Sequence, residues 1–156
     1  MYYLIDGHNL VPKIGGLSLS NPDDELRLIE LLQIFCRVRR QQVEVFFDQA
    51  PPGSSGQKQF GTVMAHFVRQ GRTADEAIAA RLDQLGKSAP NWVVVSSDRQ
   101  VRREARSHRA AVLSSEQFAA ELYAAVQDEH ANPPGGETKL SDQELEEWLK
   151  LFGDKG

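Results

Sequence analysis

One cysteine, Cys36, stands in 156 residues, which excludes an internal disulfide and any metal site built from several thiolates. It falls in the apolar series Leu28, Leu31, Leu32, Phe35, Cys36, the setting of a plain core residue rather than a catalytic thiol. No apolar run approaches the roughly 20 residues of a membrane span, and Met1 to Asp6 lacks a basic region leading into a cleavable apolar segment. The expectation is a cytoplasmic protein with no membrane partner. Aromatic residues make up only 8% of the chain, so base-stacking platforms are scarce and Phe60 is the one visible candidate. Excess charge is small as well. The formal net charge is −4, but residues 128–156 hold eight acids and three bases, which leaves residues 1–127 with fifteen bases against fourteen acids. An acidic tail therefore masks a body compatible with a phosphate-bearing partner.

Three apolar runs each lead straight into an aspartate: Tyr2 to Ile5 before Asp6, Val43 to Phe47 before Asp48, and Trp92 to Ser97 before Asp98. Two further strands are expected over Thr62–Val68 and Ala110–Leu113. Helical spacing predicts helices over about residues 21–40, from Thr73 to Gly86, after Asp98, and after Ser114 or Ser115. Alternation of strand and helix of this kind specifies an α/β fold, a mainly parallel sheet of about five strands flanked by helices. Gln49 to Gly56, with two prolines, two glycines and two serines, reads as a loop, and so does the segment from Gly7 to about Ser20. At 156 residues one domain plus an appendage is expected, since domains most often hold about 100–150. The predicted division is a body over residues 1–128, a Pro/Gly linker over 129–139 and a tail helix over 140–156. In that tail Leu145, Trp148, Leu149 and Phe152 recur at i, i+3, i+4 and i+7. They are expected either to fold back on the body or to dock on a protein partner or second copy, because a lone helix of about 11 residues is marginal in water.

Parallel strands bring their C-terminal ends to one edge, where open α/β sheets place ligands. Asp6, Asp48 and Asp98 would then converge with Asp75 and Glu76, which open a helix behind the capping residue Thr73. Like charges so placed raise one another's pKa unless a cation lies between them, and hard oxygen ligands favour Mg²⁺ or Mn²⁺. Such a site suits hydrolysis of a phosphodiester. Asp6, Asp75 and Asp98 are the expected metal ligands and catalytic acids. Asn9, Asp48, Glu76 and Ser97 are expected to support them. His8, Arg69, Arg72, Arg99, Arg102 and Arg103 are candidates for contact with the substrate, His8 also as a loop-holding group. Ser96 and Ser97 lack the G-x-S-x-G setting of a nucleophile. No Asp-x-Asp follows the first strand and no lysine ends the strand at Leu113, which argues against phosphotransfer folds.

Leu4-Ile5-Asp6-Gly7-His8-Asn9-Leu10, Val45-Phe46-Phe47-Asp48, Gly71-Arg72-Thr73-Ala74-Asp75-Glu76 and Val95-Ser96-Ser97-Asp98 occur in this order. Over about residues 2–126 the chain resembles the NYN domains of the PIN-like nuclease superfamily, most nearly the YacP-like branch. The resemblance implies a PIN-like three-layer fold, a divalent-metal site and endoribonuclease activity. It casts Asp6, Asp75 and Asp98 as metal-binding acids, with Asn9 and Asp48 in supporting places and Ser97 near the metal. Some YacP-like members are ribosome-associated ribonucleases, which makes mRNA on the ribosome a candidate substrate. A binding or adaptor module of the same fold with little catalysis is the alternative.

Overall fold

The computed structural model describes residues 2–14, 23–50, 55–69 and 71–131. The tail predicted from Leu145 to Phe152 lies outside them. Strand β1 (Tyr2–Asp6) runs into a short helix α1 (Gly7–Leu10) and a 3-10 turn at Val11–Lys13. Helix α2 (Asp23–Arg39) and strand β2 (Gln42–Ala50) follow, then the hairpin β3 (Gly56–Phe60) and β4 (Val63–Arg69). The chain continues through α3 (Ala74–Leu85), a 3-10 segment at Gly86–Asn91, β5 (Trp92–Val95), α4 (Arg99–Ser107), β6 (Ala111–Leu113) and α5 (Ser115–Ala131). No helix among the described residues is long and apolar enough to cross a membrane.

The six strands form one sheet in the order β3-β4-β2-β1-β5-β6. All neighbours are parallel except β3, which is antiparallel to β4. The sheet has one strand more than expected, because Gly56-Gln57-Lys58-Gln59-Phe60 is almost wholly exposed and carries no apolar face to mark it as a strand. Its backbone pairing with β4 is what makes it one. Phe60 accordingly sits in a strand and packs against the core, not in a loop. The segment after Gly7 likewise opens with helical turns where a loop was expected.

Two cores follow from the two faces of the sheet. On one face Ile5, Val45 and Phe47 meet Leu28, Leu32 and Phe35 of α2 and Phe118, Leu122 and Val126 of α5. Tyr3, Phe35 and Phe118 form an aromatic cluster with centroids 5.0–5.6 Å apart. Cys36 is buried there as a free thiol, and burial pushes its pKa up. On the other face Leu4, Phe46 and Val94 are covered by Ile78 and Leu82 of α3 and Val101 and Ala105 of α4. These α3 residues recur at the i, i+4 spacing of one helical stripe. Three layers result, as the sequence predicted.

Helix starts follow local chemistry. Thr73 Oγ1 accepts from Glu76 N–H at 3.1 Å to cap α3. Ahead of α5, Ser114 and Gln117 make a reciprocal capping box, Ser114 Oγ accepting from Gln117 N–H (3.1 Å) and Gln117 Oε1 from Ser114 N–H (3.0 Å). Gly7 does not use a left-handed backbone. A Cβ there would lie 2.5 Å from the Phe47 ring and 2.8 Å from the Phe46 carbonyl oxygen, so the residue is small because β1 turns into α1 directly against β2.

Candidate active site

The parallel registers pair Asp6 with Phe46 on one side of β1 and Ile5 with Val95 on the other. β1 and β5 therefore finish nearly level, while β2 runs on past them to Ala50. The chain reverses its direction of travel across the sheet between β1 and β5, and it is outside such a switch point that open α/β sheets bind ligands. Asp6 stands at one side of that gap and the segment Ser96-Ser97-Asp98 at the other.

Asp6 is 6% exposed. Burial first, then the nearby Asp75 and, more weakly, Asp48 push its carboxyl up to about 6, against the opposing hydrogen bonds from Ser96 and the Asn9 backbone. Asp75 is also raised, by desolvation and then by Asp98, Asp48 and Glu76. Asp6 thus senses Asp75 and Asp48, and Asp75 senses Asp98 and Asp48, along one edge. Glu76 is more exposed and faces Arg72 at 4.0 Å.

Ser96 holds this edge together. Its buried hydroxyl donates to Asp6 Oδ2 (3.2 Å) and accepts from the Asp98 N–H (3.0 Å). Extending the β1–β5 register one step past Ile5–Val95 puts Ser96 beside Asp6, a signal available in the sequence once strand ends are aligned. Ser97 plays a different part: its hydroxyl donates to Glu116 Oε2 (2.8 Å) and its N–H to Asn9 Oδ1 (2.8 Å). Asn9 Oδ1 also accepts from Ser115 Oγ (2.6 Å), so Asn9 ties α1 to the end of β5 and the start of α5. Ser97, a lysine contact from Lys13, and Glu116's own backbone N–H hold the Glu116 carboxyl at about 2. Asp98 caps α4, its Oδ1 accepting from Gln100 N–H (2.9 Å) and Val101 N–H (3.1 Å).

Asp48 lies inside β2, beside an irregularity between Phe47 and Ala50, rather than beyond the strand's end. His8 bridges it to Glu25: Nδ1 meets Asp48 Oδ1, and Nε2 meets Glu25 Oε2 at 2.7 Å. Burial pulls the imidazole pKa down, but the bonds and charges of Glu25 and Asp48 outweigh it and the net shift is upward. Both ring nitrogens of His8 are thereby engaged within the protein. Glu25 had no mark in the sequence beyond a place in the first turn of α2, and its partnership with His8 needs the fold to bring α1 and α2 together.

Of the basic candidates, Arg102 reaches back over the start of α4, its Nη1 donating to the Ser96 carbonyl oxygen at 3.5 Å. Arg99 and Arg103 are exposed on α4, and Arg69 and Arg72 are exposed between β4 and α3. Cations therefore flank the acidic edge on two sides.

Among the described residues, no three His, Cys, Asp or Glu side chains form a ready-made metal-binding group. The donor set still fits a hard divalent cation. Mg²⁺ takes one or two carboxylates and fills its remaining positions with water and phosphate oxygens. A carboxylate as buried and mutually repelled as Asp6 lacks the positive neighbour that such an ion supplies.

The model of the YacP-like NYN domain matches residues 3–152, beyond residue 126 where the motif resemblance ended. Two crystal structures of Rae1 (YacP) from Bacillus subtilis are similar in fold. A mutant form superposes with a TM-score of 0.66 at 21% identity, over 99% of this chain and 98% of that one. The other does so with a TM-score of 0.68 at 21% identity, over 96% and 93%. A search of curated proteins returned no match. The matched family supports a function of the RNA-nuclease type: this chain belongs to the YacP-like NYN domain family.

Proposed function

We propose that the protein is a divalent-metal-dependent endoribonuclease that hydrolyses phosphodiester bonds of single-stranded or ribosome-associated RNA in the cytoplasm. The observation that carries this reading is Asp6, a buried carboxylate raised to about 6 beside Asp75 and Asp48 at the switch point of the sheet. Asp6, Asp75 and Asp98 are the residues to hold Mg²⁺ or Mn²⁺. When bound there, the ion supplies a Lewis acid for the phosphodiester and offsets the charge of the carboxylates. Ser96 fixes Asp6 and the Asp98 backbone in one arrangement, and Asn9 does the same for the Ser97 backbone. Arg69, Arg72, Arg99, Arg102 and Arg103 are suited to hold backbone phosphates on either side of the acids. The catalytic body spans residues 1–128, and the tail through Leu145, Trp148, Leu149 and Phe152 docks on it or on a partner.

A second reading, an RNA-binding module with little catalysis, is favoured by one observation: Asp48 is engaged by His8, and one oxygen of Asp98 by the α4 backbone. The two are separated by incubating the pure protein with a circular single-stranded RNA and Mn²⁺, beside Asp6→Asn and Asp98→Asn. Opening of the circle by the wild type alone, abolished by chelator, is the expected result. Cleavage that survives both substitutions or the chelator contradicts the metal-site assignment, and binding without cleavage selects the second reading.

A further inference from the structure

The hairpin β3–β4 carries the sheet past the reach of α3, and the space left between them is a groove of about 520 Å³. That size lies within the roughly 300–1,000 Å³ of small-ligand sites. Its floor is the sheet face bearing Met64 and His66, with His66 stacked on Phe46 at 4.3 Å and 5° between planes. Glu44 is neutralised there by a two-pronged pair with Arg81 (Nε to Oε1 2.9 Å, Nη2 to Oε2 2.8 Å) and by His66 Nε2 at 2.8 Å. The wall from α3 is formed by Ala77, Ala80, Arg81 and Gln84, with Arg81 drawn onto Glu44. Arg69 and Arg72, joined by a backbone turn at 3.3 Å, stand exposed ahead of α3, whose first turn carries Asp75.

We propose that this groove binds the nucleotide next to the cleaved phosphate of a single-stranded RNA, its phosphate on Arg69 and Arg72 and its base against Met64 and His66. The proposal rests on the ribonuclease reading and extends it to a surface away from the acids. Charge complementarity selects the occupant. With Glu44 neutralised by Arg81, the groove's net charge comes from Arg69 and Arg72, and Arg72 meets Glu76 only at 4.0 Å. The small side chains of Ala77 and Ala80 in the α3 wall, beside a partly apolar floor, leave room for a splayed base, and unpaired bases are what single-strand readers stack on protein side chains. Arg72, which lines the groove, lies 4.0 Å from Glu76 in the first turn of α3, so a strand held on Arg69 and Arg72 runs on toward Asp75.

The test is fluorescence anisotropy of a labelled oligouridylate in chelator, with the full chain. Ala80→Glu on α3 and Gln57→Glu on β3, both exposed, bring negative charge into the groove from opposite sides. Ala120→Glu, exposed on α5 across the sheet, is the matched control. Each groove variant is expected to weaken binding about tenfold, and the control to leave it unchanged. Arg69→Ala and Arg72→Ala should each flatten the dependence of log K on log salt by about 0.7. Circular dichroism confirms that each variant is folded. Wild-type affinity in both groove variants, or no RNA binding by the wild type, overturns the proposal. So does unchanged affinity with an altered mass in light scattering, which assigns the groove to a second copy of the chain. Groove-dependent binding without cleavage keeps this site and removes the nuclease reading; Asp6-dependent cleavage with groove-independent binding does the reverse.

Discussion

Asp6→Asn should make the protein more stable at neutral pH while removing its activity. Asp6 is 6% exposed, and its carboxyl is raised from 3.8 to about 6. At 1.36 kcal/mol per pH unit, keeping it ionised costs the folded state about 3 kcal/mol. The sign follows from proton linkage. A carboxyl whose folded pKa lies above its unfolded value holds its proton longer in the folded state, so wild-type stability is greatest below about pH 3.8. It falls as pH rises through the window up to about 6 and is flat above it. Asparagine carries no charge, and its amide oxygen can still accept from Ser96 Oγ. Its NH₂ group cannot accept the hydrogen bond that the carboxylate takes from the Asn9 backbone N–H, at a cost of about 1 kcal/mol. The net gain above pH 7 is therefore about 2 kcal/mol, or about 4–8 °C in Tm for a chain of this size. Melting curves in chelator from pH 3.5 to 8 measure it. The two proteins should converge at the acid end and separate across the window. A variant less stable than wild type throughout, or a difference independent of pH, refutes the reasoning. Adding Mn²⁺ at about 100 times its Kd should raise wild-type stability by about 2.7 kcal/mol and the variant's by less.

Gly7→Ala drives a methyl group to 2.5 Å from the Phe47 ring and 2.8 Å from a backbone oxygen, and should destabilise by about 1–3 kcal/mol in urea titration. Ser96→Ala removes the hydroxyl shared by Asp6 and the Asp98 N–H; a loss of about 1–3 kcal/mol in stability and a fall in kcat larger than any change in KM are expected. Burial opposes ionisation of Glu44, yet His66 and Arg81 hold its carboxyl at about 2. The stability it contributes is present above about pH 4.5 and lost as pH falls toward 2, so Glu44→Gln should cost about 2–3 kcal/mol at pH 7 and little in strong acid, read from the same melting curves.

The strands that were legible in the sequence are those with an apolar face to bury. β1, β2, β4, β5 and β6 all bear buried or half-buried apolar residues, whereas β3 is Gly-Gln-Lys-Gln-Phe and is a strand only because β4 offers it an edge. The acidic edge was legible because neighbouring parallel strands run in phase: Asp6 closes β1, Asp48 lies in the last part of β2 and Asp98 follows β5. Their inequality was not. Asp98 doubles as the cap of α4, Asp48 is bridged by His8 to Glu25, and Ser96 rather than Ser97 touches Asp6. Each of these depends on how elements distant in sequence approach in space, such as α1 against α2, and spacing along the chain carries no record of that. Gly7 illustrates the same limit on reading by residue type. It suggests a sharp turn, yet its small size serves the packing of β1 against Phe47.

The central claim is that the acidic edge at the end of β1 and β5 holds a catalytic divalent cation. Crystals grown with Mn²⁺ and measured at a wavelength where manganese scatters anomalously test it most directly. The account predicts an anomalous peak about 2 Å from an Asp6 carboxylate oxygen, shared with Asp75 or Asp98 and absent in Asp6→Asn. Manganese bound elsewhere on the chain, with no peak beside Asp6, would contradict it.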